Sequence, residues 1–192
     1  MSPNLMNPRL ERAMRDASIW HLGQVRKVSQ LPYAQHLFAV AWILDRAGFD
    51  EDVVVAGLLH DSLEDTTTTR ETIASRYGER VATWVQACTE VKYDQSGNQR
   101  PWIDRKREHV ELLRDAAIEA RAIMLADKLH NLTAIEVDLE LGEAVWSRFR
   151  AGRDEVIWYY QAVVECCGSG DPRLEFLAAE CRAALERVVQ QG

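Results

Sequence analysis

The stretch AGLLHDSLEDTTTT, residues 56–69, runs from apolar side chains into His60, Asp61, Glu64 and Asp65. Imidazole and carboxylate are ordinary ligands of a divalent cation, and carboxylates set beside such a cation can also move protons. On a helix, residues three and four apart share a face, so Glu64 lies one turn from His60 and Asp65 one turn from Asp61. The preceding VVVAGLL is apolar nearly all round, which implies a buried helix whose polar end opens into the interior or a cleft. Unpaired carboxylates there would each cost several kcal/mol, far more than an exposed like-charge pair at about 0.2–0.5 kcal/mol. Something positive is therefore expected among them, and a divalent metal is the simplest candidate, because a cation inverts the local electrostatics.

Two adjacent ligands do not fill a coordination shell. Two other places offer more: His36 in the otherwise apolar PYAQHLFAVA, and Asp127 within IMLADKLHNLTAI. Taken singly, His36 reads better as a hydrogen-bonded core histidine and Asp127 as a solvated carboxylate. Beside the His60–Asp61 pair they reinforce one another as a ligand set.

The elements that must position these groups are helices. Apolar residues recur at three- and four-residue spacing rather than alternating, which predicts helices near 8–24, 33–47, 50–64, 69–77, 78–92, 101–115, 117–138, 142–152, 153–168 and 173–190. RAGFD places Gly48 as a stop and Asp50 as a start, and TTRE, Thr68 to Glu71, has capping-box spacing. KYDQSGNQRP, 92–101, is the one long polar gap and reads as an exposed loop, and CCGSGDPR, 166–173, as a turn.

The 192 residues suit one domain over 1–192, with 47% hydrophobic and 28% charged residues, the balance of a folded globular chain. With 23 Lys plus Arg against 30 Asp plus Glu, the net charge of −7 argues against a nucleic-acid partner. A small phosphate-bearing ligand fits only where basic residues are concentrated. Cys88, Cys166, Cys167 and Cys181 lack C-x-x-C spacing and read as small buried hydrophobes in a reducing, cytoplasmic setting. No run reaches the roughly 18 apolar residues of a membrane span.

An N-terminal His, a His-Asp pair and a later Asp, all on helices, resemble the HD superfamily of metal-dependent phosphohydrolases. The longer stretches HLGQVRKVSQLPYAQH, AGLLHDSLEDTTTT, YGERVATWVQACTE and LADKLHNL are similar to the hydrolase domain of the RelA/SpoT alarmone enzymes, especially its stand-alone small form. The likeness runs over about residues 15–136. It implies a compact all-α bundle in which His36, His60, Asp61 and Asp127 hold a single Mn²⁺ and Glu64 and Asp65 are the catalytic carboxylates. It also implies removal of pyrophosphate from the 3′ position of guanosine tetra- or pentaphosphate (ppGpp or pppGpp), giving GDP or GTP. A two-His, two-carboxylate set leaves positions open for water and a substrate oxygen, which agrees with that task.

In the same resemblance Arg26 stacks on guanine, Lys27 serves the phosphates or the site's geometry, and Asn131 contacts the ribose. Read without it, Arg26 and Lys27 are a solvated basic pair and Asn131 a helix-end polar group. Thr133 and Ala134 fall where some relatives place a hydroxyl near the base. RPWIDRKREHV adds Arg105 and Lys106, which either draw the polyphosphate in or pair on a solvated face with Asp104 and Glu108. His130 is read as structural, His21 as a brace for the Arg26 turn, and His109 as outside the pattern. Relatives usually carry a glycine where this loop reads VSQL and a proline where Leu37 follows His36, which bears most on base selectivity.

Residues 142–190 are expected to be amphipathic helices that close the core or form a homodimer face, without a synthetase half. Two other functions stay open: a phosphohydrolase acting on another nucleotide, such as an adenosine alarmone or the 2′-phosphate of NADPH, and a catalytically silent nucleotide-binding module.

Overall fold

The apolar periodicity resolves into helices throughout the computed structural model, which describes residues 6–191. In chain order these are α1 (Pro8–Trp20), α2 (Ala34–Arg46), α3 (Glu51–Leu59), α4 (Ser62–Asp65), α5 (Arg70–Tyr77), α6 (Glu79–Cys88), α7 (Trp102–Arg114), α8 (Ile118–Glu140), α9 (Arg153–Cys167) and α10 (Pro172–Gln191). Among the described residues the extended pairings are isolated bridges, Val25 with Pro32 and Tyr93 with Gln99, so the fold is all-α. No described helix is long and apolar enough to cross a membrane.

α8 lies at the centre and packs against α2, α3, α6, α9 and α10. Its residues from Ala122 to Lys128 are all buried, so polar groups on it must be paired or used. α3 is buried from Val53 to Leu59 and starts on Asp50, whose side chain accepts from the Val53 N–H at 3.1 Å, just after Gly48 at φ +80° ends the preceding turn. Gly57 lets α3 approach α2 closely, since a Cβ there would collide with Leu44 Cδ1. α9 and α10 contribute Tyr159, Tyr160, Val163, Leu174, Leu177 and others to the same buried apolar core. The four cysteines are free, and Cys88, Cys167 and Cys181 are buried.

Several expected helices end early. The helix expected over 50–64 is two, α3 and α4, separated by a turn at His60–Asp61. The one over 8–24 stops at Trp20 and turns through Gly23 at φ +83°, and the one over 78–92 stops at Cys88 because Thr89 is extended. Residues 142–152 hold only a 3-10 turn, Val145–Arg148, because Gly142 at φ +78° ends α8 and the chain reaches α9 before a new ladder can start. α5 is capped by Thr69, which accepts from the Thr72 N–H, and not by Thr68. Loop 92–101 folds back on itself, with Asp94 Oδ1 accepting from the N–H groups of Ser96 and Asn98.

Candidate metal centre

The turn after α3 decides the geometry. His60 caps the end of α3 and Asp61 precedes α4, both with near-helical backbone angles, so their side chains leave the same end of the buried helix. Here His60 Nδ1 lies 2.8 Å from the Gly57 carbonyl, and the next ladder starts from the Asp61 carbonyl, which accepts from the N–H groups of Glu64 and Asp65. As a result Asp61 Oδ2 comes within 3.1 Å of His60 Nε2.

His36 from the first turn of α2 and Asp127 from the middle of α8 close the set. His36 Nε2 is 3.3 Å from Asp127 Oδ1 and 3.7 Å from Asp61 Oδ2, and His60 Nε2 is 3.9 Å from Asp127 Oδ1. His36, His60 and Asp127 each offer a ligand atom within 4.8 Å of the others. Both rings are fully enclosed, His36 1% and His60 2% exposed.

A carbonyl only accepts, so His60 Nδ1 carries a proton, and in the neutral ring Nε2 bears the lone pair; that buried Nε2 has no hydrogen-bond partner. His36 Nδ1 lies 2.7 Å from His130 Nδ1, and with His36 as donor its Nε2 is likewise bare. Two imidazole lone pairs facing two carboxylate oxygens repel one another, and a divalent cation is the partner that chemistry supplies. The residues fit such an ion. Without one, burial disfavours the charged form of His60, yet the carboxylates of Asp61 and Asp127 lift it to about 9. For His36 burial prevails and its pKa falls.

The second layer is well ordered. Tyr33 O–H donates to Asp61 Oδ2 at 2.6 Å, and Tyr33 stacks on His21 at 5.3 Å. Asn131 Nδ2 donates to Asp127 Oδ1 at 2.6 Å and accepts from Arg26 on its Oδ1, also at 2.6 Å. The other oxygen of Asp127 pairs with Lys128, whose ammonium sits over the Tyr159 ring at 5.0 Å and the Tyr160 ring at 5.8 Å. His21 Nδ1 bonds the Gln24 side-chain oxygen at 2.7 Å, and Gln24 donates on to the Asp65 carbonyl, so His21 does brace the Arg26 turn and ties it to α4.

Glu64 and Asp65 stand beside the centre, joined by Lys92. Its ammonium lies 3.1 Å from Glu64 Oε1 and 2.6 Å from Asp65 Oδ1, while Glu64 Oε2 accepts from the Glu90 N–H at 3.2 Å. Burial and then the Glu90 carboxylate push the Glu64 carboxyl above its usual range, with Lys92 opposing. Arg105 and Lys106 do not form a solvated face with Asp104 and Glu108. They turn inward onto buried Glu90, with Arg105 at 3.1 Å, and are themselves largely enclosed. His109, also buried, lies 3.2 Å from the Tyr159 hydroxyl.

His60, Asp61, Glu64, Asp65 and Asp127 line a cavity of about 870 Å³, with Arg26, Lys27, Lys92, Arg148 and Arg150 among its walls. Lys27 lies over the Phe149 ring at 5.8 Å, and burial lowers its pKa. Within a chain of net charge −7 the basic residues are thus concentrated at one place, the condition for attracting an anion. Sequence reasoning missed Tyr33, Glu90, Lys92, Lys128, Arg148 and Arg150 and undervalued His130. Glu90 and Lys92 sit in an extended segment whose composition matches any polar loop. His130, next to Asn131 and three residues after Asp127, carried a spacing signal.

The description "HD domain" matches residues 13–157. The chain is 36% identical over 135 residues to the guanosine-3′,5′-bis(diphosphate) 3′-pyrophosphohydrolase of Aquifex aeolicus, covering 67% of this chain but only 18% of that longer protein. It is 33% identical over 162 residues to the MESH1 protein of the same description from Drosophila melanogaster, covering 83% of this chain and 84% of that one. The solved structure of a metazoan ortholog of SpoT that hydrolyzes ppGpp superposes with a TM-score of 0.77 at 27% identity, covering 94% of this chain and 97% of that one. The match spans His36, His60, Asp61 and Asp127, and the chain belongs to the HD domain family.

Proposed function

We propose that this protein is a cytoplasmic, Mn²⁺-dependent hydrolase that removes the 3′-pyrophosphate of guanosine 3′,5′-bis(diphosphate) or its 5′-triphosphate homologue, yielding GDP or GTP and pyrophosphate. The observation that carries the reading is the convergence of His36, His60, Asp61 and Asp127, with the last three and Glu64 lining a cavity whose walls include Arg26, Lys27 and Lys92. Similarity to the Aquifex and Drosophila hydrolases supplies the substrate class.

His36, His60, Asp61 and Asp127 would hold the cation, which when bound supplies Lewis acidity toward a phosphoryl group and acidity to water. Water adds to the phosphorus attached at O3′, the P–O3′ bond breaks, and O3′ leaves with a proton. Glu64, partly desolvated and held by the Glu90 N–H, takes the proton from water and returns it to the leaving O3′. Asp65, fixed through Lys92, orients that water. Arg26 and Asn131, already joined to Asp127 by hydrogen bonds, seat the nucleoside, while Lys27 meets its phosphates. Arg105 and Lys106 line the same cavity and, paired with Glu90, act through it.

Incubation with the guanosine compound, with Mn²⁺ and with excess chelator, followed by mass identification of products, tests this. GDP and pyrophosphate in equal amounts, formed only with metal, are expected. Orthophosphate alone, or tight binding without turnover, would overturn it.

A further inference from the structure

α8 turns one stripe of side chains toward the cavity: Asp127, Asn131, Ala134, Ile135 and, at the far end, Asp138. The proposed chemistry uses the first two. Asp138 is a different case, a carboxylate only 8% exposed that lines the cavity. Among the described residues its side chain has no hydrogen-bond or ion-pair partner, although a buried carboxylate ordinarily has one. Its oxygens are not sealed into the core, since neither belongs to the fully enclosed polar atoms that lack partners. Burial raises its carboxyl, and the opposing influence is the charge of the Arg26 guanidinium. This end of the cavity therefore holds an acceptor pair that is open to the cavity and has no protein partner among the described residues.

Position along the helix indicates what should satisfy it. Asp138 stands three turns beyond Asp127, roughly 16 Å of helix rise. A nucleoside whose 3′ phosphorus lies at the metal centre passes its sugar by Asn131 and brings its base to this end, beside Arg26. Ala134 and Ile135, the two residues of the stripe between, carry no polar side-chain atom, so among the side chains of this stripe selection falls to Asp138. Two carboxylate oxygens match two parallel N–H donors in one plane. Guanine presents such a pair in N1–H and its 2-amino group. Adenine presents a bare N1 and no 2-amino group, so its matching edge would set a lone pair against the carboxylate.

We infer that Asp138 is the base-selecting residue of this cavity, accepting from N1–H and the 2-amino group of guanine. The inference rests on the proposed 3′-pyrophosphohydrolase reading and assigns the base preference of that site.

The test compares four 3′,5′-bis(diphosphates) that differ only in the base: guanine, hypoxanthine, adenine and xanthine. Both kcat/KM with Mn²⁺ and binding by calorimetry with Ca²⁺ are measured on the whole chain. A paired contact of this kind is worth about 10–100-fold in discrimination. The wild type should favour guanine over hypoxanthine and adenine by that factor. Asp138→Asn exchanges one acceptor for a donor, which suits the N1–H and 2-oxo group of xanthine, so its preference should move from guanine to xanthine. Asp138→Ala should lose the guanine preference without gaining xanthine. A gain for xanthine cannot come from a damaged fold. Equal handling of guanine and adenine by the wild type, or an unchanged guanine preference in Asp138→Asn, overturns the inference. The binding arm reads base choice even where no nucleotide is turned over, so an idle wild type that still binds guanine best refutes the hydrolase reading and supports the role of Asp138.

Discussion

Replacing His130 by alanine should loosen the metal centre without touching a ligand. His36 is 1% exposed, and its Nδ1 has His130 Nδ1 at 2.7 Å as its partner. Removing that partner leaves a buried N–H unsatisfied, at a cost of about 1–3 kcal/mol, and frees the ring to adopt the tautomer in which Nε2 carries the proton. That tautomer cannot ligate. Partners of this kind typically contribute 10–100-fold to metal affinity, about 1.4–2.7 kcal/mol. Competition for Mn²⁺ against a fluorescent chelator at fixed pH would measure the difference. His130→Ala should bind 10–100-fold more weakly, and His130→Gln, which keeps an acceptor within reach, should recover part of the loss. Unchanged affinity in His130→Ala, with the chain folded, would refute the reasoning, because it would mean that the His36 tautomer needs no support.

Glu64→Gln should retain Mn²⁺ with near wild-type affinity while turnover falls by at least about 100-fold, and metal loss in this variant would contradict its role as a proton carrier. Lys92→Met removes the cation shared by Glu64 and Asp65, and kcat/KM should drop about 10–100-fold, in line with a charged hydrogen bond of about 1.5–3 kcal/mol. Lys92 favours the ionised form of Glu64, which the reaction needs, so its loss raises the Glu64 pKa and the acid limb of the pH–rate profile moves to higher pH; a limb that moves down would refute this. Gly57→Ala gains about 1 kcal/mol of helix propensity but meets Leu44 Cδ1 in a filled core, a cost of about 1–3 kcal/mol. Thermal unfolding should come a few degrees lower, and an unchanged or raised midpoint would show that α2 and α3 can part freely.

The groups proposed to hold the metal were legible because each departs from its surroundings: His36 and Asp127 interrupt apolar helices, and His60–Asp61 ends one. Periodicity also identified most helices, since burial on one face is recorded in spacing. It did not reveal the break at His60–Asp61, where the backbone keeps near-helical angles and only the hydrogen-bond ladder is interrupted. Charge partners were harder still. Arg105 and Lys106 appear as a solvated row on α7, and only the fold brings buried Glu90 against them. Lys92 and Lys128 gain meaning from neighbours 27 and one residues away respectively, Asp65 and Asp127, and the second of these looks like an ordinary helix pair. Asp138 is hidden for a similar reason. A helical aspartate near a C-terminus reads as solvated until its face of α8 is seen to line the cavity.

The central claim is that a single divalent cation makes the acidic cluster tolerable, held by side chains from α2, the α3–α4 turn and α8. Titration of the purified chain with Mn²⁺, followed by the loss of the free-ion paramagnetic signal, tests it most directly. The account predicts one tight ion per chain in the wild type and loss of that site in His36→Ala, Asp61→Ala and Asp127→Ala alike. A tight, stoichiometric site that survives in both His36→Ala and Asp127→Ala would contradict it.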